Sequence, residues 1–514
     1  MKFGLKRAAV CSIIGYILLL AVLTIAESST PDSSINSFTD AIWYSVVTLS
    51  TVGYGDMYPV TLVGRIIGAC FVFMSLGVLS FIMGIVISFL TQHLLPAVKL
   101  TAVRNRTWYV FDQANEVSLT LAEDLEHTDP DAVFLFPLTQ SDSMEQKPNF
   151  RFYPETIAKA VKGKEENCSL FFLSLDQNNY IPALEALELG HPVYCHSRQS
   201  PASRSNRLTL FNRYTCCARE YWRTQALSRE EHTVVILGSG HYARYLLEQG
   251  LAVNVFHSNR HVTYHVFGDW SDFRRNHPKL DTTLSVNRTD GEQDCLFFHE
   301  NPWNGDAALL CSADRIILCS DDESENLDIL HQLRKYFPIK GAVHLRAARD
   351  IPGETVFGMT RHIYTADLVM GTQLTETARL MHQIYADSAD YEVPAWEDLS
   401  DFLQLSNIAA ADHLLTKVRL LLEDDSITAL NKAVCTKAYE IYEAARNTDA
   451  ERYRETEHLR WMRFHSLYNW DYAPVRDNAA RLHPLMQPYH QLPREEQLKD
   501  DYAWELMGKI AEKL

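Results

Sequence analysis

Thr51-Val52-Gly53-Tyr54-Gly55-Asp56 stands between two apolar segments, about residues 8–26 and 62–92, and comes after a short amphipathic run from Phe38 to Ser50. Its two glycines free the backbone for conformations that residues with a Cβ reach only at a cost, so successive carbonyls can point one way. Carbonyls aimed at one axis, with a threonine hydroxyl, can replace the water around a bare cation. A glycine turn in a soluble strand would match by chance, but it leaves the apolar flanks without a purpose. Residues 8–26 are 19 without a charge, near the ~20 that a helix needs to cross a bilayer. Ile66 to Gln92 carries no charge either.

The string TLSTVGYGD in this setting resembles the two-transmembrane, one-pore potassium channels, over roughly residues 8–95. The resemblance implies an α-helical transmembrane pore over 1–98, with two spanning helices (8–26 and 62–92), a pore helix (39–50) and a filter (51–56). In that filter Thr51, Val52, Gly53, Tyr54 and Gly55 supply the oxygens for a permeant K⁺ and Asp56 sits at the outer mouth. Trp43 and Tyr44 would pack behind Tyr54. Gly77 would be a gating hinge in the inner helix, although Gly68, Gly77 and Gly84 serve close helix contact equally well. Val47 stands where some members carry a glutamate, and no segment has the spaced arginines of a voltage sensor. Ser37 or Thr39 can cap the pore helix, whose C-terminal end favours a cation. The basic start MKFGLKR also fits a signal peptide cleaved after Ala26, but a pore subunit needs the brace of a retained outer helix. Lys, Arg and His are absent from Ala8 to Gly64, and past the second apolar segment Lys and Arg return at Lys99, Arg104 and Arg106. Both termini are therefore expected in the cytoplasm and residues 27–61 outside, in a multi-pass protein of the cell membrane held among lipids. One filter strand per chain cannot enclose an ion, so a homotetramer is expected.

Ten cysteines without a CxxC pair suggest core residues in a reducing compartment. The net charge is −17; residues 1–100 carry 5 basic and 4 acidic residues, +1, leaving −18 for the remainder. That acidity argues against nucleic acid polymers as partners. Pro96 should end the inner helix, and a short link over about 96–106 would let the cytoplasmic lobes pull on the gate. Strands are expected at 107–112, 132–137, 168–176 and 192–197, with helices at about 115–125, 154–162 and 179–189. A second round runs through 232–238, AVNVFH (252–257), 315–320 and 341–347. Alternation of apolar strands and helices implies parallel sheets covered on both faces. Both rounds, 104–225 and 231–388, resemble the Rossmann-type (RCK, TrkA-N) lobes that regulate potassium conductance, which implies gating by a bound ligand. The second keeps a glycine turn, Gly238-Ser239-Gly240-His241-Tyr242-Ala243, between a strand and a helix, as phosphate binding requires. These residues and Asp321 form the candidate nucleotide site, for NAD(H), ATP or another nucleotide. His257, Ser258 and Asn259 are expected at the end of the next strand, where NAD sites place an acid, which speaks for a different nucleotide or an empty turn. The first lobe has Phe111-Asp112-Gln113-Ala114-Asn115 instead, and no dinucleotide is expected there. Asp321, Asp322, Glu323 and Glu325 follow a strand where the resemblance to such regulatory lobes implies a place for Ca²⁺, but Ser320 with Glu323 reads better as a capping box. His257, His261 and His265 are expected at the surface, and no metal site is assigned.

From about 391 to 514 the chain reads as a small all-α domain. Glu457-His458, Trp461, Asn469-Trp470, Tyr472, Arg476-Asp477, His483-Pro484, Pro488-Tyr489, Leu492-Pro493 and Asp500 resemble the repeat domain named after ryanodine receptors (RyR). Asn469 departs from its usual glycine. The aromatics suffice for a core, while Arg476 and His483 could hold an anionic or nucleotide-like ligand. A nucleotide-signal effector channel sensing through this domain is the nearest alternative. A membrane-anchored NAD-dependent oxidoreductase needs an acid/base pair and a ribose acid beside the glycine turn; neither is legible, so no catalytic residue is assigned and the chain reads as no enzyme.

Overall fold

The structure, a computed structural model, describes residues 2–89, 106–143, 147–153, 156–162, 167–175, 178–197, 207–257, 260–284, 291–389 and 392–513. The expected linker 96–106, its Pro96, the end of the inner helix at Gln92, and Ser258 and Asn259 lie outside the described residues, save Arg106. The chain divides into two compact units, Met1–Arg104 and Asn105–Leu514.

Among its described residues the first unit has three helices: α1 (Lys2–Ser28), α2 (Phe38–Leu49) and α3 (Leu62–Phe89). Ser37 caps α2: its hydroxyl accepts from the Asp40 amide at 3.2 Å while Asp40 accepts from the Ser37 amide at 2.9 Å. This reciprocal box satisfies two amides that a helix start leaves open. Leu20, Leu23, Ile35, Ala41, Ile67 and Phe71 form a small core. Leu62–Ser88 is, among the described residues, the helix long and apolar enough to cross a membrane, and the apolar stretch Ile14–Ser28 is shorter. Beyond the side of α3 that carries Ile67 and Phe71, its large side chains, such as Phe73, Phe81 and Ile85, are exposed. A helix apolar all round is built for lipid or for other helices.

The second unit contains two six-stranded parallel sheets. The first has the order β3-β2-β1-β4-β5-β6, with β1 at Trp108–Phe111, β2 at Val133–Pro137, β3 at Phe150–Tyr153, β4 at Cys168–Phe172, β5 at Val193–His196 and β6 at Leu208–Phe211. The second has the order β12-β11-β10-β7-β8-β9, with β7 at Thr233–Leu237, β8 at Thr263–Phe267, β9 at Cys295–His299, β10 at Arg315–Leu318, β11 at Ala342–Arg346 and β12 at Thr355–Phe357. Numbered within each lobe, both read 3-2-1-4-5-6, the doubly wound order whose ligand crevice opens beside the first strand. The expected strand AVNVFH is not one: Ala252 and Val253 close the helix His241–Val253, and the partner of β7 is β8. Residues 252–257 are apolar because they are buried under the C-terminal helices, not because they pair. Helix Arg213–Thr224 puts Cys216, Cys217, Tyr221 and Trp222 into one core shared by both lobes.

Beyond the second lobe come helices Thr372–Ser388, Asp401–Leu422, Lys432–Ala445, Ala450–Leu467 and Tyr502–Lys513. Their core joins Ala378, Leu414, Tyr442 and Trp504, so it begins inside the 231–388 span expected for the lobe. Buried polar contacts weld these helices to the second lobe. Arg463 pairs with Asp294, His413 Nε2 donates to the Val255 carbonyl at 2.9 Å, and Thr416 Oγ1 donates to Val253 at 2.9 Å. His257, expected at the surface, is 5% exposed and packs between Tyr453 and Trp504.

Candidate functional site

The loop after α2 has an unusual backbone. Thr51, Gly53 and Gly55 lie at φ 61°, 58° and 72°, all left-handed, with ordinary residues between them. Such alternation keeps successive carbonyls on one side, where a strand would alternate them. Amides of Val52 and Gly53 donate to the Val47 carbonyl at 3.1 and 3.2 Å, anchoring the loop to the end of α2. Trp43 stacks on Tyr54 with ring centroids 6.2 Å apart and 4° between planes, and its Nε1 donates to Asp56 at 2.8 Å. Tyr44 turns the other way, against Phe71 and beside Gly68 of α3. Gly77 lies mid-helix with nothing within 4 Å of where a Cβ would stand.

One residue that the sequence did not single out holds this unit together. Glu27, fully buried at the end of α1, accepts from Ser33 Oγ at 2.7 Å, the Val60 amide at 3.1 Å, the Thr61 amide at 2.9 Å and Thr61 Oγ1 at 2.5 Å. A carboxylate at the start of α3 favours the positive end of that helix. Its signal was only its place as the first charge after an apolar run.

Residues 11–92 match the family model described as an ion channel. Over 56 residues the chain is 50% identical to potassium voltage-gated channel subfamily A member 6 of Homo sapiens, 11% of each chain. Subfamily A member 4 of Mus musculus is 29% identical over 158 residues, 30% of this chain and 22% of that one. The chain thus spans about a tenth to a fifth of the length of these relatives. The solved GsuK channel covers 82% of this chain and all of its own, at 14% identity and a TM-score of 0.32.

In the second lobe, the helix His241–Val253 starts at Gly240, which supplies no side-chain cap. Asp321, just past β10, caps it instead. Its carboxylate accepts from the His241 and Tyr242 amides, both at 3.0 Å, and lies 2.9 Å from His241 Nδ1. Burial pushes this carboxyl up, but the two amides and His241 hold it below the usual range. A Cβ on Gly240 would stand 2.4 to 2.7 Å from the Asp321 carboxyl. Ser239 reaches the next loop, where its Oγ accepts from the Asp269 amide at 3.1 Å. Since β8 ends at Phe267, the acid at the end of the strand after the turn is Asp269, and not the 257–259 run. Asp269 is exposed and accepts from the Ser271 amide at 3.0 Å. An exposed carboxylate just past β8 and a His241–Asp321 pair therefore stand beside the turn, with the Asp321 carboxylate engaged by three donors. What hid Asp269 was the misplaced strand.

The neighbouring carboxylates have separate duties. Asp322, not Ser320, caps the helix Glu323–Tyr336 by accepting from the Ser324 amide at 2.8 Å. Ser320 instead donates to Glu325, and Glu323 accepts from the Ala348 amide at 3.2 Å. His261 lies 3.4 Å from Glu292, while His265 Nδ1 meets His299 Nε2 at 2.9 Å. In the first lobe the corresponding helix, Glu116–Thr128, is closed by its own Asn115 in a capping box with Ser118, and Gln140 accepts from the Ala114 amide. Asp112 accepts from the Leu173 amide at 2.9 Å, and burial pushes it up to about 6.

In the C-terminal helices, His483 is buried against Trp461 at 5.1 Å and Trp470 at 6.2 Å, and its Nδ1 accepts from the Leu485 amide. Burial and the Arg476 charge together push His483 down to about 4. Arg476 itself is exposed on the loop before it, donating to Asn478 at 2.8 Å.

Proposed function

We propose that the chain is one subunit of a homotetrameric, potassium-selective channel of the cell membrane, with both termini in the cytoplasm and a ligand-sensing second unit. The observation that carries this is the run of left-handed backbone at residues 51, 53 and 55, inside the region matching the ion-channel family. Four copies of the loop, each turning its carbonyls inward, would give K⁺ the oxygens that replace its hydration shell. Asp56 and Trp43 brace the outer end of each loop, and Gly77 leaves the inner helix free to bend. The doubly wound lobes supply the regulation: a ligand shifts the gate by its difference in affinity between two lobe arrangements, and by no more. The crevice of the second lobe, between Gly238 to Ala243, Asp269 and Asp321, is its place, and a nucleotide its chemistry.

Purified protein in liposomes tests this. It is expected to pass K⁺ and exclude Na⁺, and Gly53→Ala to abolish the flux. Equal passage of Na⁺ would refute potassium selectivity. A second reading, sensing through the C-terminal helices, is favoured by Arg476 standing close enough to shift both His483 and His465. Arg476→Ala would then remove the ligand response while Asp269→Ala would leave it.

A further inference from the structure

The glycine turn of the second lobe has every part of a phosphate seat, and the seat is taken. In the 3-2-1-4-5-6 order the crevice opens between the carboxyl ends of β7 and β10. A dinucleotide's pyrophosphate lies there on the first amides of the helix and over the second glycine. Both of those places hold the carboxylate of Asp321: the first amides, His241 and Tyr242, donate to it, and it lies on Gly240 closer than a Cβ would allow. We propose that Asp321 is a built-in competitor for phosphate, so that the second lobe admits a nucleoside diphosphate only when this carboxylate swings out.

Three further observations support a competitor over a fixed strut. The Asp321 side chain is 40% exposed, so solvent is open to it when it leaves. The residue is fastened by its main chain: Arg346 donates to the Asp321 carbonyl at 3.1 Å and to the Ser320 carbonyl at 2.7 Å. The side chain can thus turn without freeing the strand end. The first lobe shows how this architecture closes a helix start when no visitor is expected, with a capping asparagine inside the turn itself. The second lobe keeps the glycines and closes the seat from the far side of the crevice. Opposite, Asp269 stays exposed at the position that takes a ribose hydroxyl.

The inference rests on the reading of this lobe as the ligand sensor, and the test separates the two. Equilibrium dialysis of the full-length protein in nanodiscs, with ADP as the probe, compares the wild type with Asp321→Ala and Asp321→Gly, neither of which leaves a side-chain acceptor in the seat. Both variants are expected to bind ADP about tenfold more tightly or better, because a seat vacant one time in ten weakens apparent affinity tenfold. Thermal melting confirms that each variant is folded, and Asp321→Gly serves where Asp321→Ala is not. Wild type binding ADP as tightly as the variants would overturn the proposal, as would a folded variant that binds neither ADP nor inorganic pyrophosphate. A variant that binds ADP tightly while its K⁺ flux ignores ADP would refute ligand gating and leave the competition standing.

Discussion

Thr51 carries a β-branched side chain at φ 61°, a conformation costing of order 1–3 kcal/mol that persists only where surrounding structure imposes it. The amides of Val52 and Gly53 on Val47, and the Trp43–Asp56 bond, are the imposing structure. Trp43→Phe keeps the stacking on Tyr54 and removes that bond, worth roughly 1 kcal/mol. The fraction of liposomes conducting K⁺ is expected to fall several-fold, and an unchanged fraction would show that Asp56 needs no brace. Glu27 has a larger stake. Replacing this buried acceptor of four donors by glutamine turns an N–H toward other N–H groups and loses charge-assisted bonds of about 1.5–3 kcal/mol each. Glu27→Gln is expected to lower the melting temperature in detergent by several degrees. The loss should be greater than for Ser33→Ala, which removes only one partner.

Among the elements, legibility tracked burial pattern. Continuous apolar strands such as Val133–Pro137 and Arg315–Leu318 announced themselves, because a strand covered on both faces has no polar side to confuse it. Short edge strands did not: Phe150–Tyr153 and Thr355–Phe357 are few residues with mixed burial. β8 was missed because residues 252–257, apolar for a different reason, drew the assignment ten residues early. Asp269 went with it, so one register error concealed half of the candidate site. The pore loop and the glycine turn were legible because their backbone demands name their residues; the capping role of Asp321 was not, since it depends on which strands lie side by side. The C-terminal helices hold a buried ion cluster that no periodicity betrays. Lys417 Nζ lies 2.7 Å from Glu457, which also accepts from Arg460 at 2.7 Å. Burial pushes Glu457 up, but those two cations hold it down at about 2. Its contribution is therefore full above its ordinary carboxyl range and is lost as pH falls toward 2. Glu457→Gln strands Lys417 and is expected to cost about 3–5 kcal/mol in denaturant unfolding at neutral pH. Asp500, a few residues away in space, has the opposite sign. Burial pushes it up to about 8, so its contribution is full below the ordinary carboxyl range and is lost as pH rises from there to about 8. Melting temperatures of the wild type should decline between about pH 4 and 8 and level off above that, and Asp500→Asn should flatten the decline. Parallel curves for the two proteins would exclude Asp500 as the cause.

At the scale of the molecule, the second unit behaves as one body. Tyr109, Phe134, Trp222, Leu246, Tyr264 and Leu467 belong to a single buried cluster that runs from the first lobe to the C-terminal helices. A fragment of residues 106–513 is expected to melt in one calorimetric transition, whereas 392–513 alone, with Arg463 deprived of Asp294 and His413 of its carbonyl, should not fold. Two separate transitions in the longer fragment would contradict this. The shared core has a mechanical consequence. A helix such as Arg213–Thr224, whose tryptophan and tyrosine are gripped from both sides, leaves no slack for the lobes of one chain to scissor apart. In the proposed tetramer, the two lobe arrangements that set the gate would then differ between the second units of neighbouring copies, each moving as a stiff paddle.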